Sequence, residues 1–596
     1  MEKSDKSSYK KGGSFLIEKC QESDIYSAED FTEEHVMIQD TVRKFVENDI
    51  KPKIDRIEKL DYDLSVSLLK NLGELGMLGV DISEDYGGGG MDKITNAIVT
   101  EELGRAGSFS VTIGAHVGIG TLPVAYYGSK EQKKKYLTGL ISGELIGAYA
   151  LTEPGSGSDA LAAKTKAVLS GDKKHFVLNG TKQFITNAGF ASIFIVFAKI
   201  AGEQFSAFIV ERSFEGVSIG EEEKKLGIKG SSTCALILEN AKIPVENLLG
   251  KPGDGTKIAL NILNIGRLKL GLGCLGICKD IINDTLSYAS QREQFGKTIN
   301  RFGLIQEKIA NMAIKIFALE SSSYRTIGLI QKLVDGIDHK ADDAERKILK
   351  SIEEYSIECA IMKIYGSETL DFVCDEGLQT YGGYGYTQEY PMERYYRDSR
   401  INRIFEGTNE INRLVITGML MKKGLKGELD LMGAIKLIQR EITEFPSLTE
   451  DSGELMEQEI KILENMKKAV LLISGAAIQK YNQAIENEQE ILAMISDCIT
   501  EIYNLESLVL RSLKIAGKRG EEKSGIYLDI TRAYCFDAVQ KVDSKLKLTS
   551  AAISGGDDLR ILLGAIKRFI KYSPPDLVKA KRNIASHLIK AGIYQL

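Results

Sequence analysis

Histidine is scarce in this chain and scattered where it occurs. His35, His116, His175, His339 and His587 fall at no metal-ligand spacing and form no readable triad, so catalysis is not expected to run on histidine and no metal site is expected. The eight cysteines (Cys20, Cys234, Cys274, Cys278, Cys359, Cys374, Cys498 and Cys535) include no CxxC pair, and in a chain this long they read as buried thiols of a reducing compartment. Cys274 and Cys278 stand four apart on an apolar helical stretch with no histidine near, which points to core packing. No run of about 18 apolar residues is found, so no segment is expected to span a membrane. The first twenty residues mix Glu and Asp with Lys and lack the apolar centre of a signal peptide. The net charge of −6 sets up no field that would draw the chain to nucleic acid. A cytoplasmic protein with no nucleic-acid partner is the expectation.

What is present is an ordinary globular composition, 43% hydrophobic and 27% charged. Its length of 596 residues, at roughly 100–200 per domain, sets a prior of three to five domains. After an N-terminal extension (1–29), residues 30–146 repeat apolar positions at three and four, as in "EEHVMIQDTVRKFVENDIKPKIDRIEKL", and read as helices. From 147 the period shortens. "HFVLNGTKQFI" sets Asn179-Gly180 between two β-rich runs, the pattern of a hairpin turn, and "ASIFIVFAKI", "FSAFIVER" and "CALILENAKIPVENLLG" follow as strands. Residues 147–255 are thus expected to form a mainly antiparallel β domain. Helical periodicity returns over 256–423 and again over 424–596, with breaks at "EFPSLTEDSGE", "GKRGEEKSG", "SGGDD" and Pro574-Pro575. The fold class is α+β multidomain: an N-terminal helical domain, a central antiparallel β domain, a helical bundle, and an extra C-terminal helical domain.

Two motifs are decoys. "GSGSDA" at 155–160 fits a dinucleotide fingerprint, but only ten residues separate it from the turn at Gly171-Asp172, too few for a crossover helix. "GKT" at 296–298 would need a leading glycine where Gln291 stands. The stretch "RINRIFEGTNEINRL" is more telling. Glu406 lies between Ile404-Phe405 and Gly407-Thr408, just before a helix that Thr408 or Asn409 can cap and whose first turn holds Glu410. A carboxylate among apolar groups binds its proton more tightly, as a base working near neutral pH must. A solvated residue beside a helix cap is the alternative.

"YALTEPGSGSDA", "KQFITNAG", "SQREQFGKTINRFGLIQEKIANM", "QTYGGYGYTQEYPMERYYRDSRI" and "RIFEGTNEI", in that order over about residues 30–420, resemble the acyl-CoA dehydrogenase family. The helical region after 424 resembles the extension of its very-long-chain branch. The resemblance implies FAD as cofactor and α,β-dehydrogenation of an acyl-CoA thioester, in fatty acid β-oxidation. Glu406 would take the α-proton while the β-hydrogen leaves as hydride to the flavin. The thioester carbonyl would be hydrogen-bonded by the base's own N–H and a ribityl hydroxyl of the cofactor. Some members carry the base at the slot of Gly266, where no carboxylate competes here.

The same resemblance assigns Tyr149, Ala150, Leu151, Thr152, Gly157 and Ser158 to the flavin's flank. Ser158 would also contact pantetheine. Asn264, Arg267 and Gly407 would bind substrate, although many members have Asp where Asn264 stands. Phe184, Ile185 and Thr186 would face the ring, with Phe184 in a slot that many members fill with Trp, a residue this chain lacks altogether. Arg292, Phe295, Gln379, Thr380, Tyr381, Gly382 and Gly383 would reach the FAD of a neighbouring subunit, with Thr408, Asn409 and Glu410 at the cofactor's other end. A homodimer is therefore expected. The position of Gly303 often holds a cofactor-binding Gln.

"VTIGAHVGIGTLP" supplies Gly114, Ala115, Gly118 and Gly120 at spacings that leave a groove, and shorter-chain relatives close the acyl tunnel with bulkier side chains at Val111 and Ala115. A long acyl substrate is expected, with electrons passed to an electron-transfer flavoprotein. An acyl-CoA oxidase using O2, or a non-catalytic scaffold on the same fold, are the alternatives. Residues 559–582 hold seven Lys/Arg against one Asp, a pattern that can lie on an anionic membrane as a peripheral contact or remain a solvated face.

Overall fold

A computed structural model describes residues 9–341, 343–444 and 453–596. The first eight residues and most of the break expected at 444–454 lie outside these. Helices α1 (Glu33–Phe45), α2 (Tyr62–Glu74), α3 (Lys93–Gly104), α4 (Ser108–Gly114) and α5 (Lys130–Ser142) open the fold. The polar residue before a helix accounts for most of the starts: Thr32, Asp61, Asp92 and Ser129 each accept a backbone N–H of the first turn. α4 runs on through π-helical turns, Ala115–Thr121, into a last turn Leu122–Tyr127. There Gly120 serves packing, because a Cβ on it would lie 2.8 Å from the Gly147 carbonyl carbon.

The middle of the chain is one sheet: β1 (Gly147–Ala150), β2 (Lys166–Leu169), β3 (His175–Thr186), β4 (Ile193–Ile200), β5 (Gln204–Glu211), β6 (Val217–Glu222), β7 (Thr233–Pro244) and β8 (Leu248–Leu249). The strand order is β6-β7-β3-β2-β4-β5-β8, antiparallel except that β1 and β2 both lie parallel to β4. The hairpin expected at Asn179-Gly180 is not there. β3 passes straight through both residues, and the turn joins β2 to β3 at Ser170–Lys174. What Gly180 provides is a bulge: its register against β7 shifts after Leu178, its φ is 155°, and a Cβ would meet Thr165 Oγ1 at 2.4 Å. A dipeptide suited to a tight turn is here a bend in a long strand. Asp159–Ala163 forms a single 3-10 turn and no crossover helix, which removes the dinucleotide reading.

A bundle follows: α6 (Gly255–Gln291), α7 (Gly303–Val334), α8 (Ala344–Glu354), α9 (Ser356–Tyr381), α10 (Met392–Ser399) and α11 (Asn409–Leu425). α6 and α9 cross at two glycines, a Cβ on Gly366 falling 2.9 Å from Gly271 Cα. The appended helices are α12 (Leu431–Thr443), α13 (Glu457–Tyr481), α14 (Gln489–Arg519), α15 (Glu521–Ile553), α16 (Gly556–Phe569) and α17 (Leu577–Ala591). The expectation that no segment is apolar enough to cross a membrane needs correction. Ser108–Tyr127 and Gly255–Gln291 each reach a mean hydropathy of 1.3. Both are core helices, with 72% and 67% of those windows buried inside the protein. Their apolarity is explained by packing.

The N-terminal segment is docked. Gly13 N–H donates to Glu358 (2.7 Å), Lys423 Nζ donates to the Gly12 carbonyl (3.0 Å), and Phe15 and Leu16 are buried. Glu29 receives Arg511 of α14.

Candidate active site

Glu406 occupies a tight bend at φ 57°, followed by Gly407 at φ 78°, before α11 begins. Thr408 caps that helix, its Oγ1 accepting the Ile411 N–H at 3.2 Å. For a glutamate this left-handed backbone costs roughly 1–3 kcal/mol and persists because the surroundings enforce it. Asn412 Nδ2 is one of them, donating to the carbonyls of Gly407 (2.8 Å) and Thr408 (3.0 Å). The bend turns the carboxylate back onto α6. There the space exists because residue 266 is glycine: a Cβ would stand 2.6 Å from Glu406 Oε2. Arg267 and Asn264, bonded to each other at 3.0 Å, flank it on the same helix.

The electrostatics suit a base. Burial pushes the Glu406 carboxyl up to about 7, with Arg267 and then Lys363 pulling the other way. Lys363 is itself brought down to about 8, chiefly by burial. Buried polar atoms in this neighbourhood that lack hydrogen-bond partners include Glu406 Oε2, Arg267 Nε and the Tyr149 hydroxyl, the last close enough to be perturbed by Glu406. Buried polar atoms are normally satisfied, so together they mark a place for a polar ligand group. No acceptor among the described residues takes the Glu406 N–H, which leaves it for a ligand oxygen.

From Glu406 a cavity of about 170 Å³ runs along α6 past Gly266, Leu270, Gly273 and Ile277, walled opposite by α3 and α4. Val111, Gly114, Ala115 and Gly118 line it as the sequence suggested, while Gly120 does not. Thr186 of β3 also faces it, which brings the strand residues and the base to one space. Beside Thr186, Phe184 is held at φ 58° with 62% of its surface exposed, while Ile185 points into the sheet core. An exposed ring in a strained strand end suits a flat heterocycle. The loop after β1 is anchored at Glu153, and Gly157 and Ser158 beyond it are exposed. Burial disfavours a charge on Glu153, but hydrogen bonds from Lys182 Nζ (2.7 Å), Thr165 and the Lys164 N–H hold its carboxyl at about 2. Sequence reading passed over this Glu153–Lys182 pair, along with Lys363. A lysine inside the β run "GTKQFIT" was the available signal for the first; none existed for the second.

The second group lies apart. Arg292 and Phe295 sit on a short hairpin after α6, and Phe295 is 94% exposed at φ 52°. Arg292 lies over Tyr384, and Tyr381 stacks on Tyr288 at 3.9 Å. Gln379, Gly382 and Gly383 are exposed, whereas Thr380 is buried and bonded to the Glu376 carbonyl. No described hydrogen bond or ring contact joins this group to Thr152, Phe184 or Thr186 within the chain. Asn409 differs from expectation: its side chain is wholly engaged inside the bundle, accepting from Lys363 (2.6 Å) and donating to Glu368 (3.0 Å). Glu410 is exposed.

Family models described as the acyl-CoA dehydrogenase N-terminal domain, middle domain and C-terminal domain match residues 32–144, 148–241 and 253–421, and a further C-terminal domain model matches 465–568. The chain belongs to the acyl-CoA dehydrogenase family. It is 50% identical to a probable acyl-CoA dehydrogenase of Bacillus subtilis (strain 168), over 98% of both chains. It is 36% identical to the rat mitochondrial very long-chain specific acyl-CoA dehydrogenase, over 80% of this chain and 73% of that protein. A crystal structure of an acyl-CoA dehydrogenase complexed with FAD from Bacillus anthracis superposes with a TM-score of 0.97 at 48% identity, covering 98% of this chain and 100% of that one. The protein is thus an FAD-dependent oxidoreductase of this family, and the exposed Phe184 ring and Thr186, with Ile185 between them turned into the core, fit that cofactor.

Proposed function

We propose that this acyl-CoA dehydrogenase removes the α-proton of a long-chain acyl-CoA with Glu406, yielding the trans-2-enoyl-CoA in fatty acid β-oxidation. The observation that carries the reading is the carboxylate itself, unbonded at Oε2, raised to about 7 and facing the cavity across Gly266. FAD, when bound, supplies the hydride acceptor for the β-carbon. The residues of the chain do the rest. In this reading the Glu406 N–H binds the thioester oxygen, and Arg267 with Asn264 holds the substrate's CoA side. Water is kept out by the apolar walls of α3, α4 and α6. Anaerobic titration with palmitoyl-CoA should bleach the bound flavin. Glu406→Gln should retain yellow FAD and abolish the bleaching, and full activity in that variant would overturn the assignment.

The small residues at 111, 114, 115 and 118 support a long substrate. kcat/KM should be higher for C16 than for C8 acyl-CoA, and the reverse order refutes the length preference. The acceptor we propose is an electron-transfer flavoprotein. Stoichiometric hydrogen peroxide in air would identify an oxidase instead. Phe295, Leu304 (75% exposed) and Tyr386 (83%) support a homodimer that completes the cofactor site. Phe295→Asp should yield monomers by light scattering and release FAD on dilution.

A further inference from the structure

Where the appended helices meet the bundle there is a second cavity, of about 270 Å³, that shares no residue with the Glu406 cavity. Its wall is charged, and the charges do not cancel. Arg413 of α11 joins Glu368 (2.8 Å) and Asp497 (2.7 Å), Lys545 also reaches Asp497 (2.9 Å), and Lys541 pairs with Glu501 (2.7 Å). Every carboxylate lining the cavity is therefore matched. Lys315 of α7 is left over. It has no ion pair or hydrogen-bond acceptor among the described residues, and its nearest described contact is the face of Phe372 at 5.0 Å. Burial, followed by Lys541, lowers its proton affinity, and Glu501, Asp537 and Glu368 oppose this only from a distance, without an ion pair to it.

The neutral part of the wall is unsatisfied in the matching sense. The hydroxyls of Tyr365, Thr369 and Thr500 line the same cavity and belong to residues 5%, 2% and 6% exposed; none makes a hydrogen bond of good geometry, Tyr365 lying near Tyr534 and Thr369 without closing one, and Thr500 has no partner at all among the described residues. Each unmade bond of a buried hydroxyl costs about 1–3 kcal/mol, and an unpaired buried ammonium costs more. Water can accept from the hydroxyls but cannot neutralise the ammonium. An oxyanion does both. We infer that this cavity is a binding site for a small oxyanion, a carboxylate or a phosphate group, received by Lys315 and the three hydroxyls. The half-exposed Lys541 and Lys545 would guide it in. The site is also linked to catalysis by contact. Glu368, which takes Arg413, takes Asn409 Nδ2 as well, in the first turn of the helix that follows Glu406.

The test uses the full-length FAD-loaded enzyme. Isothermal titrations with sodium phosphate and with sodium acetate are run at constant ionic strength, with sodium chloride as control. Saturable binding of one anion per chain is expected. It should be weakened at least about tenfold in Lys315→Met, a charge-assisted contact being worth that much or more, and restored in Lys315→Arg. Should the methionine variant fold poorly, the Thr369→Val/Thr500→Val pair decides, since it removes unsatisfied hydroxyls and should bind weakly with FAD absorbance unchanged. Preference for phosphate or for acetate identifies the source, and either upholds the site. The inference falls if neither anion saturates, if Lys315→Met and the valine pair both bind like the wild type, or if crystals grown in phosphate show only waters on the three hydroxyls.

Discussion

Glu406 could be suspected from residues alone, since a lone carboxylate set between Ile404-Phe405 and Gly407 is costly to keep ionised. Its neighbours could not. Tyr149, Lys363 and Gly266 come from three distant segments, and only tertiary packing brings them to it. The burial has two measurable consequences of opposite kind. Because the carboxyl must be ionised to act, kcat/KM should rise through about pH 7 and fall roughly tenfold per unit below it; a flat profile between pH 6 and 8 would contradict the role. For stability the sign reverses. A carboxyl raised from the ordinary 4.5 to about 7 holds its proton better folded than unfolded, so its contribution is full below 4.5 and is lost as pH rises through 7. Glu406→Gln should therefore be more stable than the wild type at pH 8, on the order of 3 kcal/mol, with the gap in urea midpoints closing at pH 5. Gly266→Ala probes the same contact from the other side. A methyl 2.6 Å from Oε2 must displace the carboxylate, and a shift of about 1 Å costs on the order of a hundredfold in kcat. FAD content should not change.

At the scale of elements, helices were readable because their caps and their 3.6 period are local. Strand pairing was only half readable: Asn179-Gly180 carries the chemistry of a turn, yet β7 and Thr165 make it a bulge. The π-helical continuation of α4 gave no local signal either, and its anchor is a histidine the motif search set aside. His116 is fully buried, with Nε2 bonded to the Leu140 carbonyl (2.9 Å) and Nδ1 taking the Gly147 N–H (3.0 Å). It thereby ties the π turns to α5 and to the start of β1. With Nδ1 accepting, the ring is neutral, and burial lowers its pKa to about 4. An unfolded chain protonates this residue near 6.5, so its contribution is complete above that pH and is lost as pH falls toward 4. The loss is on the order of 3 kcal/mol. His116→Leu should be less stable at pH 7 yet show a shallower fall in urea midpoint between pH 6.5 and 4.5. An unchanged acid slope would show that other groups govern it.

For the whole molecule, composition is silent about how the layers are joined. A chain with 77 basic and 83 acidic residues does not announce which few of them meet in the interior. One relay of ion pairs links the N-terminal helices, the bundle and the appended helices. Glu101 of α3 meets Lys279 of α6 (2.6 Å), which meets Glu320 of α7. Glu320 takes Arg511 of α14 (2.7 Å), and Arg511 takes Glu29 of the N-terminal segment (2.8 Å). The N-terminal extension is thus a clasp on the appended domain, fixed also by Lys514 and Lys518 on Asp30. Arg511 is 0% exposed and serves two carboxylates at once, so removing it strands Glu29 and leaves Glu320 with Lys279 alone. Breaking such a pair from one side costs about 3–5 kcal/mol, most of it from the charges left uncompensated. Arg511→Met should lower the urea midpoint accordingly and expose residues 9–31 to limited proteolysis before the sheet is cut. The further change Glu29→Gln, which removes the stranded charge, should recover part of the loss, because the penalty belongs to the unpaired carboxylate more than to the missing bond. If the single variant keeps the wild-type midpoint and proteolytic pattern, the layers are held by apolar packing alone and the relay is incidental to it.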